Sequence, residues 1–231
     1  MEGVISELGL VVAAAGSSQR FGDKGNKLLQ HLHGVPLVCH CLRRLWHCVP
    51  ADQIAVMVRP EEMESFETVL GEHGFLDAGV SVKSGGRSRS ESVYAGVKTF
   101  SEDVTLVAVQ DAARPFTSGE LLRRCVTCAR TYGSGVAARA VTDTIKTCEA
   151  SGKVTATLDR SSLAATETPQ VFSRPMLMEA YEYVLANNVN VTDDGQAAEC
   201  LGNEVYLVFH EEENPKITYS SDLALYEQCD V

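Results

Sequence analysis

The strongest constraint on this chain is a recurring alternation of short apolar runs with helical patterns. Leu8–Ala14 reads LGLVVAA, a continuous apolar run of the kind found in strands buried on both faces of a parallel sheet. Gln53–Val58, Val80–Lys83, Val104–Val109 and Gly135–Val141 read as further strands. Helical patterns fall between them: from Pro36, suited to a first turn, to about Cys48; over Pro60–Gly71; from about Ser90 to Phe100; and over Leu121–Tyr132. Later come helices near Pro175–Ala186 and Asp193–Leu201, a strand near Val205–Phe209 and a final helix from about Asp222. This rhythm predicts an α/β fold with a doubly wound, mostly parallel sheet. Such sheets bind ligands beyond the carboxyl ends of their strands. The loops at 15–27, 85–92 and 111–114 all follow predicted strands and should meet at one edge.

From Thr142 to about Gln170 the rhythm breaks. DTIKTCEASGKVTATLDRS alternates β-formers around the turn signal Ala150-Ser-Gly152 and reads as a projecting hairpin. Arms of this kind commonly bury themselves on a partner, so a homodimer is expected. With 231 residues and no internal repeat or linker, one domain with a β-arm at about 142–170 is the expectation.

A formal net charge of −11 argues against a general nucleic-acid binder. No apolar run reaches the length of a membrane span. Met1–Glu7 lacks the basic, apolar and small-residue order of a signal peptide, so a cytoplasmic location is expected, or a plastid one if a leader has been removed. In that setting the eight cysteines are not expected to form disulfides. Cys125-Val-Thr-Cys128 has metal-like spacing, but no second pair completes a zinc site, and packed thiols are the expectation.

An acidic chain that handles polyphosphates must gather its few cations in one place. Ala13-Ala-Ala-Gly-Ser-Ser-Gln-Arg-Phe-Gly22 leaves the first strand and leads to Lys27. Its small residues let backbone N–H groups approach phosphate oxygens, and Arg20 and Lys27 add positive charge. The loop is neither a Walker motif nor a dinucleotide fingerprint. Gly85-Gly-Arg-Ser-Arg-Ser-Glu-Ser92 enters a helix; its spacing alone fits a plain N-cap by Ser88, Ser90 or Ser92. Gln110-Asp111-Ala-Ala-Arg114 closes a buried strand. There Asp111 suits a metal–phosphate complex or a substrate hydroxyl, and Arg114 a phosphate; a local Asp–Arg ion pair fits the motif equally well. The scattered His residues form no Ser-His-Asp arrangement.

Together these segments resemble the 2-C-methyl-D-erythritol 4-phosphate cytidylyltransferases of the non-mevalonate isoprenoid pathway. The likeness runs from Val11 to about Tyr226, through AAAGSSQRFG with Lys27, GGRSRSESVYAG, QDAARPF, TDTIK, LDRSSL, TPQVF, TDDGQAAE and NPKIT in that order. It implies a Rossmann-like nucleotidyltransferase fold of the GT-A-like kind and transfer of CMP from CTP to the polyol phosphate, with release of pyrophosphate. It also implies roles by position. Ala14, Ala15 and Gly16 would line the CTP phosphates, with Arg20 and Lys27 at the α-phosphate. Gly86 and Ser92 would face cytosine and ribose. Asp111 and Arg114 would sit between nucleotide and acceptor. Thr144, Arg160 and Thr168 would bound the acceptor, and Lys216 would reach phosphate. Mg2+ or another divalent cation would ride on the triphosphate; no direct protein ligand is predicted, with Asp111 as the one candidate. In the family the arm packs across a homodimer, so some acceptor contacts would come from the other subunit.

Four positions depart from the family pattern: Ser18 where Gly is frequent, Asn26 where Pro precedes the lysine, Arg87 where some relatives are acidic, and Gln110 where His is frequent. The nearest rival is ribitol 5-phosphate cytidylyltransferase, against which Asp111-Ala-Ala-Arg114, Thr142-Asp-Thr144 and Leu158-Asp-Arg160 argue. A non-catalytic nucleotide-binding module is the rival of another class; the presence of both Arg20 and Lys27 argues against it.

Overall fold

A computed structural model describes residues 3–16, 21 and 25–228. Its centre is a seven-stranded sheet in the order β11-β7-β10-β6-β1-β4-β5. The strands are β1 (Leu8–Ala13), β4 (Ile54–Val58), β5 (Ser81–Ser84), β6 (Leu106–Asp111), β7 (Ser134–Ala140), β10 (Ala164–Ser173) and β11 (Leu207–Phe209). Two small hairpins, β2 (His31–Leu32) with β3 (Val35–Pro36) and β8 (Lys146–Cys148) with β9 (Val154–Thr157), lie outside it. β1 pairs in parallel with both β4 and β6, and β10 runs antiparallel to β6 and β7.

The apolar runs are strands because both sheet faces are covered. Leu8, Leu10 and Val12 point into a core shared with α1 (Leu37–Leu45), α2 (Met63–Glu72) and α5 (Gly119–Tyr132). Val11, Val107 and Val109 point the other way, onto α4 (Arg89–Val97), α6 (Arg174–Ala186) and α7 (Asp194–Glu199). Each fully buried side chain such as Leu10 or Ile54 contributes about 1.5–3 kcal/mol. The remaining helices are α3 (Phe75–Ala78) and α8 (Ser220–Tyr226). Helices on both faces of a mostly parallel sheet make the expected doubly wound architecture. Cys125 lies on the buried face of α5, where burial pushes its thiol up to about 12.

Strand order reverses at β1, with β4 on one side and β6 on the other. Its carboxyl end is therefore a switch point, where a doubly wound sheet opens a crevice.

The arm needs a correction. The expected projecting segment, 142–170, is too long at its far end, because β10 returns to the main sheet at Ala164 and pairs with β7 and then β6. The polar run Ala165-Thr-Glu-Thr168 hid this strand, since only Thr168–Phe172 is buried. The β8–β9 hairpin stands out from the body, with Val154 and Leu158 exposed. Gly152 takes a positive φ of 84° in its turn, as the Ser-Gly signal predicts.

Candidate functional site

Four strand ends open into one cleft of about 890 Å³. β1 delivers Ala13, Ala15 and Gly16; β4 delivers Arg59 and Pro60; β5 delivers Gly85 and Gly86; β6 delivers Asp111 and Ala113. Lys27 and Lys216 complete the wall. Five cations (Lys27, Arg59, Arg87, Arg89, Lys216) face three carboxylates (Glu61, Glu91, Asp111), a positive balance inside a strongly acidic protein. Such a cleft favours an anionic ligand.

Two glycines are required by crowding. A Cβ on Gly85 would lie 2.7 Å from the Ser92 hydroxyl and 3.1 Å from the Ala15 Cβ; on Gly86 it would lie 2.3 Å from the Glu91 Cβ. Of the three serines that could cap α4, Ser88 does so, its Oγ accepting from the Glu91 amide at 3.1 Å. Ser92 is buried; its Oγ accepts from the Gly86 amide at 3.0 Å and donates to the Ser88 carbonyl at 2.8 Å. Ser92 thus shapes the loop from within as well as lining the cleft.

Lys27 sits on a short 3-10 turn capped by Asn26, whose Oδ1 accepts from the Leu28 amide at 2.9 Å. The Asn26 Nδ2 donates to Glu62, which also takes two hydrogen bonds from Arg59. The residue that departs from the family pattern therefore anchors the lysine turn to the start of α2.

Asp111 ends β6 between two cations. Lys216 Nζ lies 2.5 Å from Oδ2 and an Arg89 terminal nitrogen 3.6 Å from Oδ1. Burial alone would raise the Asp111 carboxyl, but Lys216, Arg89 and Arg114 outweigh it and hold the group below the usual carboxylate range.

Several expected site residues lie elsewhere. Ala14 is fully buried in the core, because the alternation along β1 turns it inward; Ala13 and Ala15 line the cleft instead. Arg114 is largely buried behind the wall. Its guanidinium donates to the Asn214 carbonyl at 2.5 Å and pairs with Glu167 at 3.4 Å. Thr168 is also buried, its Oγ1 accepting from the Asp111 amide at 3.1 Å. Both support the wall; neither side chain lines the cleft. Thr144 and Arg160 are exposed on the arm and do not line the cleft of their own chain. Arg20, like Ser18, lies outside the described residues.

The sequence reading passed over Arg59, Arg89, Asp194, Tyr181 and Asn214. Arg89 was legible in principle, since it follows the Gly85-Gly86 turn and opens α4. Its two-pronged pairing with Asp194, at 2.9 and 2.7 Å, joins residues far apart in the chain and left no local signal.

Comparison with known proteins agrees with this geometry. The IspD family model, 2-C-methyl-D-erythritol 4-phosphate cytidylyltransferase, matches residues 8–229. The chain is 36% identical over 218 residues to the protein of that name from Microcystis aeruginosa, covering 94% of this chain and 96% of the relative. It is 37% identical over 215 residues to the one from Bacillus pumilus, covering 93% of each. The crystal structure of the enzyme of that name from Thermus thermophilus superposes with a TM-score of 0.79 at 28% identity, over 96% of this chain and 97% of that one.

Proposed function

The chain belongs to the 2-C-methyl-D-erythritol 4-phosphate cytidylyltransferase family, and we infer from its cleft how it carries out that family's reaction. It transfers CMP from CTP to 2-C-methyl-D-erythritol 4-phosphate, forming 4-diphosphocytidyl-2-C-methyl-D-erythritol and releasing pyrophosphate. The observation that carries this reading is the meeting of Lys27, Lys216, Arg89 and Asp111 around one crevice at the switch point of the sheet.

In the proposed reaction a phosphate oxygen of the acceptor attacks the α-phosphorus of CTP in line with the leaving pyrophosphate. The new bond is P–O–P, the bond to the β-phosphate breaks, and the electron pair leaves with pyrophosphate. No covalent enzyme intermediate is required. The protein has two tasks: to hold two anions against each other and to neutralise the charge that builds up. Lys27 suits the α-phosphate, and its turn is held by Asn26 and Glu62. Lys216, two-fifths exposed, suits an acceptor phosphate. Ala15 and Gly16 leave room for the triphosphate, and Gly86 with the 85–88 loop and the first turn of α4 for the nucleoside.

The residues present fit a divalent cation carried mainly by the nucleotide. Among the described residues no three His, Cys, Asp or Glu side chains cluster as a metal site. Asp111 offers one carboxylate where the strand ends meet the phosphates, and Mg2+ commonly takes one or two carboxylates plus substrate oxygens and water. When bound, the ion would supply charge neutralisation on the triphosphate.

The exposed arm supports a homodimer in which Thr144 and Arg160 of one subunit reach the acceptor end of the other subunit's cleft. This accounts for two cleft-directed roles that the single chain leaves unfilled. The deciding experiment measures pyrophosphate release from CTP with a panel of polyol phosphates. Fastest turnover with the methylerythritol compound is expected. Preference for ribitol 5-phosphate would move the assignment to the neighbouring enzyme, and CTP binding without turnover on any acceptor would leave a binding module.

A further inference from the structure

The two cations that share Asp111 differ in how firmly they are held. Lys216 sits on the loop after Pro215, its side chain 41% exposed. Arg89 opens α4, and both its terminal nitrogens bond the two oxygens of Asp194, at 2.9 and 2.7 Å. That carboxylate is fully buried. It also accepts from the Tyr181 hydroxyl, while the Asp194 and Gly195 amides donate to Gln170 Oε1 at 3.1 and 3.0 Å. A guanidinium fixed by a two-pronged pair in such a frame stays put; an ammonium on a four-carbon stem swings.

We propose that Arg89 is a positioning residue, the fixed cation that keeps the Asp111 carboxylate in place when Lys216 leaves it for a substrate phosphate. The inference rests on the reading above that Lys216 binds phosphate. The Asp111 side chain is only 12% exposed, so once its lysine departs it needs another positive partner or must turn to water. Arg114 contributes a field, but its guanidinium is committed to Glu167 and the Asn214 carbonyl. Asp194 and Tyr181 then act through Arg89: they fix the guanidinium rather than touch ligand.

Arg89→Met alone would leave the buried Asp194 carboxylate without a cation and endanger the fold. The test therefore pairs Arg89→Met with Asp194→Asn, which removes both charges. The pair variant should keep a melting midpoint near that of the wild type and bind CTP, by calorimetry, within about threefold of it, while kcat falls about tenfold or more through misplacement of Asp111. Arg89→Lys should fall between the two, and it serves alone if the pair variant does not fold. A structural readout is independent of turnover. In a crystal structure of Lys216→Ala the Asp111 carboxylate should remain beside Arg89, and in Lys216→Ala combined with the pair it should turn away. A pair variant with kcat within about twofold of wild type, or an Asp111 unmoved in the triple variant, overturns the inference. A wild-type protein inactive with CTP and every polyol phosphate overturns the reaction instead, and the crystallographic comparison still judges Arg89.

Discussion

The Lys27 ammonium donates to the carbonyl of Ile217 at 2.8 Å, so the lysine of the first loop is held by the residue next to Lys216. The Ile217 amide in turn donates to the Ala113 carbonyl at 2.8 Å, two residues beyond Asp111. Beneath them Ile217 packs with Phe21, Leu32 and Leu37 in a small apolar cluster. Three stretches of chain are thereby fastened together, and the two lysines are set at one cleft. Lys27→Ala should lower kcat by about 10²–10³, as the loss of a charge-stabilising donor does, with a melting midpoint lowered only by the lost hydrogen bond to Ile217, about 1 kcal/mol. Steady-state kinetics beside a melting curve checks this, and a near-normal rate would remove Lys27 from the mechanism.

Asn26→Ala removes the cap of the lysine turn and its tie to Glu62 at once. Loss of a capping side chain typically costs about 1 kcal/mol. The expected result is a small drop in the denaturation midpoint and a rate loss larger than that drop explains, because the Lys27 turn becomes less ordered.

Glu62 makes this anchor sensitive to acid. Burial raises its carboxyl, but hydrogen bonds from Arg59 and Asn26 more than compensate and lower it from the ordinary glutamate value. A carboxyl lowered by folding stabilises the protein above its unfolded value, about 4.3, and that contribution fades as pH falls through the folded value. The stability difference between wild type and Glu62→Gln should be constant above about pH 5.5 and shrink below about pH 4.3. Urea titrations across this range test it; a difference that grows on acidification would contradict it.

Gly135 allows β7 to lie against α5. A Cβ there would stand 2.2 Å from the Cys125 carbonyl oxygen and 2.9 Å from the Cys128 Cβ. Because the nearest obstacle is backbone, it yields little. Gly135→Ala should cost about 1–3 kcal/mol or more, read as a lowered unfolding midpoint.

Val154 and Leu158 are 54% and 38% exposed on the arm. Changing both to Asp should convert a dimer to a monomer by light scattering and leave the midpoint of the body little changed. Arg160→Ala should raise the KM for the acceptor far more than that for CTP. A wild-type protein that is monomeric at micromolar concentration would remove the arm's assigned role.

The fold was legible because its signal is local. Continuous apolar runs such as Leu8–Ala14 mark buried parallel strands, and Ser88, one of three serines offered as caps, is the one that caps α4. β10 escaped because its first half is polar and exposed, so periodicity could not separate it from the arm. Lys27, Gly86, Asp111 and Lys216 were named as site residues through the family resemblance that the ordered motifs carry, and all four line the cleft.

Which other side chains face the cleft was decided only by packing. Arg114 belongs to a motif that suits phosphate, yet Glu167 and Asn214 draw its guanidinium behind the wall. Arg89 and Asp194 lie far apart in the chain, and a buried carboxylate must find a cation wherever the fold supplies one. The sequence determined the sheet, the loops at its edge and the sign of their charge, since these follow from neighbours along the chain. Tertiary structure decided which cations are exposed at the cleft and which are locked in buried pairs, because that depends on burial and on partners that local pattern does not encode.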